Sequence, residues 1–367
     1  MKKIFTIEIS ENRNFGLDIL RFFAIFFVVL DHSLKYIPHH LHRFISIFLF
    51  DGVTIFFVLS GFLIGGILIK TINQSGFTRK SLFNFWKRRW FRTVPAYFLI
   101  LSILLILNIL FTPEFSLLNK LKYYIFCQNF KTPHPLFFPE AWSLSVEEWF
   151  YIITPVIILI LINIVHLDRK KSILYTAIFL IFFTVFYRSC RYFITVDPAT
   201  YNNNVLDAFF SKQVITRLDS LMFGILAAYF KFYYNKYWKS NTILFFTIGI
   251  LLIIICKMHV FGTANFFNSV LHFSFLSMGV MMLLPYLESK KKSKSKLAFG
   301  ITFISLISYS IYLINLSVIQ LWVIDKLPIS DSFIYFKFFL YFFLTITLST
   351  LLYKYFEIPT TKLRDKF

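Results

Sequence analysis

Ten stretches of the chain stay apolar for about the twenty residues that a helix needs to cross a bilayer. They lie near residues 15–35, 45–69, 93–111, 149–166, 173–193, 217–234, 242–259, 266–287, 301–324 and 334–356. The stretch at 217–234 is the weakest, because it contains Arg217 and Asp219. No internal repeat is visible, and no polar segment between the runs is large enough to fold alone. The pattern therefore predicts one all-α domain over residues 1–367, a polytopic membrane helical bundle of about ten transmembrane helices.

Composition agrees with that class. The chain is 57% hydrophobic, 21% aromatic and 15% charged, against about 25% charged residues in soluble domains. Its mean hydropathy is +0.69. A formal net charge of +20 would suit a nucleic-acid binder, but the cations cluster in short connections between apolar runs, so membrane lipids and no nucleic acid are expected as partners. The N-terminus, the connections near 70–92, 167–172, 231–241 and 288–297, and the C-terminus hold 25 Lys and Arg. The opposite set holds 11. That excess predicts a multi-pass protein of the bacterial cytoplasmic (inner) membrane with both termini cytoplasmic. No cleavable leader is expected, since the first apolar run lacks a small-residue cleavage site and carries Asp18 and Arg21. Cys127, Cys190 and Cys256 are too widely spaced for a zinc site or a disulfide framework. They read as packing residues, with one disulfide left open because all three fall near the predicted outer face.

Charged residues inside apolar runs carry the candidate chemistry. In RFFAIFFVVLDH (21–32), Arg21 and His32 are eleven positions apart, just over three turns, so they share a helix face roughly 16 Å apart along the axis. Lipid solvates neither group well, which makes that face a candidate site. Asp18, one turn earlier, is expected to pair with Arg21, and Asp31 adjoins His32. The plainer alternative has Arg21 snorkelling to lipid phosphates and His32 ending a span. In DGVTIFFVLSGFLIGG (51–66), Gly65 and Gly66 read as helix-packing positions, and Ser60 as a polar wall or a nucleophile. In FWKRRWFRTVPAYF (85–98), Arg89 and Arg92 share a face and, with Arg88, form a fork-shaped anion site suited to phosphate. Pro95 is expected near the start of a helix. The KKKSKSK tract (290–296) reads as a loop facing lipid headgroups. In AWSLSVEEWFY (141–151), Ser143 and Glu147 resemble a helix cap, and the adjacent acids Glu147 and Glu148 exceed what capping needs, so one is expected to face a cavity. SYSIYLIN (308–315) and the C-terminal YFEIPTTKLRDKF complete the set. On these grounds alone a transporter or lipid flippase fits as well as an enzyme, although no paired broken helices are visible.

Taken together, the order and spacing of these pieces resemble the acyltransferase-3 family of bacterial integral-membrane O-acyltransferases. The resemblance runs through nearly the whole chain: Arg21 and His32 with ten residues between, FFVLSGFLI (56–64), RRWFR followed by Pro95 and Tyr97, WSLSVEEWFY, SYSIYL, and Glu357 with Pro359. Two positions depart from it. Thr54 stands where the family often has an acid, with Asp51 just upstream, and Asn315 stands where many members have histidine. No SGNH-type esterase domain follows the membrane part, so the resemblance implies direct transfer to the acceptor.

The resemblance implies an acyl-CoA-dependent O-acyltransferase that uses acetyl-CoA as donor substrate, with no metal. Its CoA phosphates would sit on Arg88, Arg89 and Arg92, and its pantetheine arm would pass Arg21. His32 is then the expected general base, because imidazole titrates near neutrality. Asp31 projects roughly 100° away on the helix, which leaves Glu147 or Glu148 to orient His32. Ser60 is a candidate for the oxyanion. A covalent acyl-enzyme on His32 or Ser60 is the variant. The implied acceptor is a lipid-linked or surface glycan, lipopolysaccharide O-antigen or another polysaccharide, favoured over a cytoplasmic small molecule. Its selection is assigned to 112–148 and 194–216, where Asn202 to Asn204, Asp197 and Asp207 can bond sugar hydroxyls.

Overall fold

The computed structural model describes residues 13–75, 77–112, 116–195, 202–260, 265–291, 295–330 and 333–364. All regular structure among them is helical: α1 (Phe15–Ser33), α2 (His39–Phe48), α3 (Gly52–Ser75), α4 (Arg79–Phe111), α5 (Ala141–Asn163), α6 (Arg169–Thr195), α7 (Asn203–Leu206), α8 (Leu218–Tyr233), α9 (Asn235–Lys239), α10 (Thr242–Val260), α11 (His272–Glu288), α12 (Lys296–Ile314), α13 (Ile334–Leu352) and α14 (Ile358–Leu363). Each of the ten apolar runs falls on a helix. Seven helical stretches among the described residues are long and apolar enough to cross a membrane. The other three runs coincide with α1, which carries Asp18, Arg21 and Asp31, with α8 of 16 residues, and with the apolar part of α10, Thr242–Met258. Phe182, Phe186, Phe339 and Phe343 point outward, the reverse of a soluble surface and the arrangement lipid demands. The chain is an all-α membrane bundle.

Helix α3 packs along α8, and α1 packs against both α3 and α12. The α3–α8 crossing is close because glycines meet there. A Cβ built on Gly61 would lie 1.9 Å from the Leu221 carbonyl oxygen, and one on Gly224 would lie 2.2 Å from that of Val58. Gly65 faces Ala228 and Ile225, as a packing glycine should, whereas Gly66 meets nothing within 4 Å and does not pack.

Two helix starts differ from expectation. Helix α4 begins at Arg79 behind a Thr78–Ser81 capping box, so the arginine cluster and Pro95 lie inside a 33-residue helix. On the turns around Pro95 the Tyr309 hydroxyl donates to Thr93 O at 2.7 Å, and the Thr93 hydroxyl to Arg89 O at 3.2 Å. Helix α5 begins at Ala141, so Ser143 is no cap; its hydroxyl contacts that of Tyr312 at 2.6 Å. Cys127, Cys190 and Cys256 are free thiols. Asp197 and part of the 290–296 tract lie outside the described residues.

Candidate functional site

A cavity of about 480 Å³ opens within the bundle. Helix α1 contributes Arg21, α3 contributes Val53, Phe56, Phe57 and Ser60, and α4 contributes Arg89, Arg92 and Thr93. Glu147 and Tyr151 come from α5, and Ser305, Ser308, Tyr309 and Tyr312 from α12. Five residues singled out in the sequence, Arg21, Ser60, Arg89, Arg92 and Glu147, therefore share one space. Glu147 is the acid that faces it. The carboxylate accepts from Ser60 Oγ at 2.9 Å and from the Tyr151 hydroxyl at 2.8 Å, which ties α3 to α5 across the cavity wall.

Sequence reasoning missed half of its charge. Arg13, ahead of α1, and Lys362 and Arg364, at the end of α14, also line the cavity, giving six cations against the carboxylates of Glu147 and Glu357. Such an excess in a partly dry space favours an anion of several charges. Asp18 does not pair with Arg21. Its oxygens are used by Arg13, whose Nε donates at 3.0 Å, and by Ser305 Oγ at 2.7 Å. Arg21 is thereby left to the cavity. The polar wall had a readable signal, since Ser305, Ser308, Tyr309 and Tyr312 recur at helical spacing along α12. The recruitment of the two chain ends had none.

The remaining site residues sit elsewhere. Arg88 is exposed on α4 and is not among the lining residues. Glu148 is buried and accepts from the Thr93 hydroxyl at 2.8 Å. Asp31 is exposed, within electrostatic range of Asp51, Lys212 and Lys257. His32 lines neither this cavity nor the second one described below. Its side-chain partner is neither glutamate but Asn315, with Nδ1 to Oδ1 at 2.5 Å. Asn315 in turn donates to the carbonyl of Tyr312, whose side chain is in the cavity wall. One residue therefore separates His32 from that wall.

A second cavity, of about 490 Å³, is lined by Asp51, Trp142, Asn203, Asn204, Asp207, Ser211, Arg217, Lys257, Asn268, His272 and Phe273, among others. Its charges balance, with Arg217 and Lys257 against Asp51 and Asp207. The two cavities approach each other, because Asp51 and Trp142 line the second while Val53 and Ser143 line the first. Arg217 stands in the partition, its guanidinium 5.4 Å from the ring of Phe57, 5.7 Å from that of Trp142 and 4.1 Å from that of Phe273. Below it Arg188 and Asp219 form a fully buried ion pair at 2.6 Å. The charges that weaken the 217–234 run are thus matched inside the bundle.

At the start of α5, Glu140 accepts from Ser317 N at 2.9 Å and Ser317 Oγ at 2.5 Å. Burial pushes its carboxyl up to about 7, against the opposing pull of those two donors. Among the described residues no group of three or more His, Cys, Asp or Glu side chains is arranged to hold a metal ion.

A helical membrane bundle with a cationic internal cavity suits an enzyme and a transporter alike, and comparison with known proteins narrows the class. Residues 14–354 match the acyltransferase-3 family, an acyltransferase domain, and the chain belongs to it. It is 27% identical over 228 residues to O-acetyltransferase OatA of Staphylococcus aureus, a match covering 58% of this chain and 34% of that protein. It is 34% identical over 134 residues to the peptidoglycan O-acetyltransferase OatA of Listeria monocytogenes, covering 31% of this chain and 20% of the relative. A putative peptidoglycan O-acetyltransferase of Bacillus subtilis, YrhL, is 32% identical over 164 residues, covering 40% and 24%. The chain thus spans about a third or less of the length of these relatives. No solved structure matches it significantly.

Proposed function

We propose that the protein is a membrane O-acyltransferase that moves an acetyl group from acetyl-CoA to a hydroxyl of a cell-surface glycan. The observation that carries this reading is the convergence of six cations on one cavity whose far wall, at Tyr312, adjoins the Asn315–His32 pair. The phosphates of CoA suit Arg21, Arg89 and Arg92 together with Arg13, Lys362 and Arg364. These residues include both chain ends, which the charge bias assigns to the cytoplasm of a bacterial inner membrane, where acetyl-CoA is made. The thioester then lies towards Tyr312. In the transfer, the acceptor oxygen bonds to the thioester carbonyl carbon, His32 takes the hydroxyl proton, and the C–S bond breaks. CoA leaves as a thiolate and recovers the proton from His32. Ser60 and Tyr312 give their hydroxyl hydrogens to Glu147 and to Glu140 O in the resting site, so either serves the oxyanion only by turning from that acceptor.

The charge-balanced second cavity suits the acceptor. Sugar hydroxyls both donate and accept, as do its amides, and Trp142 and Phe273 offer flat apolar faces. Its lining draws on the segments 112–148 and 194–216 to which acceptor choice was assigned. The names of the Listeria and Bacillus relatives speak of peptidoglycan, whereas the sequence reading gives lipopolysaccharide O-antigen or another polysaccharide. Family membership favours the enzyme over a transporter. The test compares ester-linked acetyl on each surface glycan of the host in wild type, a gene deletion, and the deletion complemented with His32→Ala at matched protein level. The expected result is acetyl lost from one glycan in the deletion and not restored by His32→Ala, which also identifies the acceptor. Restoration by His32→Ala would remove the histidine from the mechanism, and unchanged glycans would overturn the acceptor class.

A further inference from the structure

The contact between His32 and Asn315 determines where the imidazole proton resides. Helix α12 ends at Ile314, and Asn315 opens a π-helical segment, Asn315–Val323, whose Ser317 is held by Glu140. In that turn the Asn315 side-chain nitrogen donates to Ile311 O at 2.8 Å and to Tyr312 O at 3.0 Å. Both amide hydrogens are thereby used. The side-chain oxygen is left to face His32 Nδ1 at 2.5 Å and to accept from the Tyr341 hydroxyl at 3.2 Å. Turned by 180°, the amide would set its oxygen against two carbonyl oxygens, so backbone geometry fixes its orientation. An amide oxygen only accepts; Nδ1 must therefore carry the hydrogen, and in the neutral ring Nε2 holds the lone pair.

We propose that Asn315 is a positioning residue that locks His32 in the Nδ1–H tautomer and so makes Nε2 the basic atom. That Nε2 takes the acceptor's proton rests on the transferase reading above; the tautomer does not. A neutral amide orients the ring without the full countercharge that a carboxylate would give the imidazolium. The charged groups around the ring are Asp31 on its own helix and Lys212 ahead of α8. From α13 it meets the Tyr341 hydroxyl through Asn315, and the Tyr341 ring lies tilted against that of Tyr36, whose hydroxyl donates to Asp325.

The experiment has two readouts on purified protein in lipid vesicles. The first is ¹⁵N NMR of histidine-labelled protein, with the His32 signals identified by their loss in His32→Gln. Wild type is expected to show protonated Nδ1 and unprotonated Nε2 in the neutral ring, and Asn315→Ala a tautomer mixture. The second is the pH profile of kcat/KM with acetyl-CoA and glycan acceptor. Asn315→Asp keeps the accepting oxygen and adds a charge but sets its second oxygen against the Ile311 and Tyr312 carbonyls, so kcat should fall while the acid limb moves upward by about one pH unit. Asn315→Ala should lower kcat by roughly tenfold or more, out of the ~10²–10⁴ that a general base contributes, without raising KM for acetyl-CoA. A wild-type Nε2–H tautomer, or an Asn315→Asp profile superimposable on wild type, would overturn the proposal. The expected tautomer in a protein that transfers no acetyl group would uphold the lock and overturn the transferase reading. Should Asn315→Ala fail to fold, the wild-type tautomer and the Asn315→Asp profile still decide.

Discussion

At Thr54 a single hydroxyl links the Asp51 carboxylate to the buried guanidinium of Arg217. The Thr54 hydroxyl donates to Asp51 Oδ2 at 2.5 Å and accepts from Arg217 Nη2 at 2.5 Å, while the direct Arg217–Asp51 approach is 3.6 Å. Asp51 also caps α3 through the Thr54 N–H at 2.9 Å. Arg217 is 1% exposed, so losing that acceptor leaves a buried guanidinium short of a partner. Thr54→Val keeps the shape and removes the hydroxyl. It should cost about 1–3 kcal/mol and lower the midpoint of thermal unfolding in detergent by a few degrees. Thr54→Ser, which keeps the oxygen, should stay much closer to wild type. Equal midpoints for Thr54→Val and wild type would mean that Asp51 reaches Arg217 unaided. The sequence displays both the departure at Thr54 and the nearby Asp51, yet gives no sign that Arg217, far along the chain, is their partner.

Among the elements, the helices themselves were the most legible feature, because twenty consecutive apolar residues leave few alternatives in a bilayer. Their ends were less so. The first turns of α4, from Arg79 to Arg92, are too polar to register as a span, although the Thr78–Ser81 capping box nucleates the helix there. Ser143 looked like a cap because the acids Glu147 and Glu148 follow it by about one turn, but the helix had already begun two residues earlier. Small residues on α3 were legible as a class and not one by one. Gly61 sits against the backbone of α8, so Gly61→Ala must push the helices apart and should sharply reduce the yield of folded protein. Gly66→Ala meets open space and replaces glycine in a helix interior, which should stabilise by up to ~1 kcal/mol. Fluorescence-detected size-exclusion after heating would compare the two. Equal or greater stability for Gly61→Ala than for wild type would mean that helix propensity, not the α3–α8 crossing, governs the response.

For the whole molecule, the decisive arrangement is the separation of charge between the two cavities. Arg21, Arg89, Arg92 and Glu147 were recognisable because each interrupts or borders an apolar run, where a charge is costly without a purpose. Arg13, Lys362 and Arg364 were not, because cations beside a membrane are ordinary and only the fold brings both chain ends to one cavity. Arg88 illustrates the converse: it shares the arginine motif and faces away. The acyl-CoA reading therefore predicts opposite behaviour for residues that look alike in sequence. The double variant Lys362→Ala, Arg364→Ala removes two of six cations. Charge-assisted contacts to phosphate contribute about 1.5–3 kcal/mol each, but Lys362 is exposed and Arg364 half-buried, so solvent screening brings the pair down to about 1.4 kcal/mol and KM for acetyl-CoA should rise by roughly tenfold at low ionic strength. Raising the salt concentration should shrink that difference, since partly open cavities are screened. Arg88→Ala should leave KM within about twofold, because Arg88 does not line the cavity. Steady-state CoA release in proteoliposomes measures both. Should Arg88→Ala raise KM as much as the double variant, the donor phosphates would lie on the outer face of α4, and the cationic cavity would need another ligand.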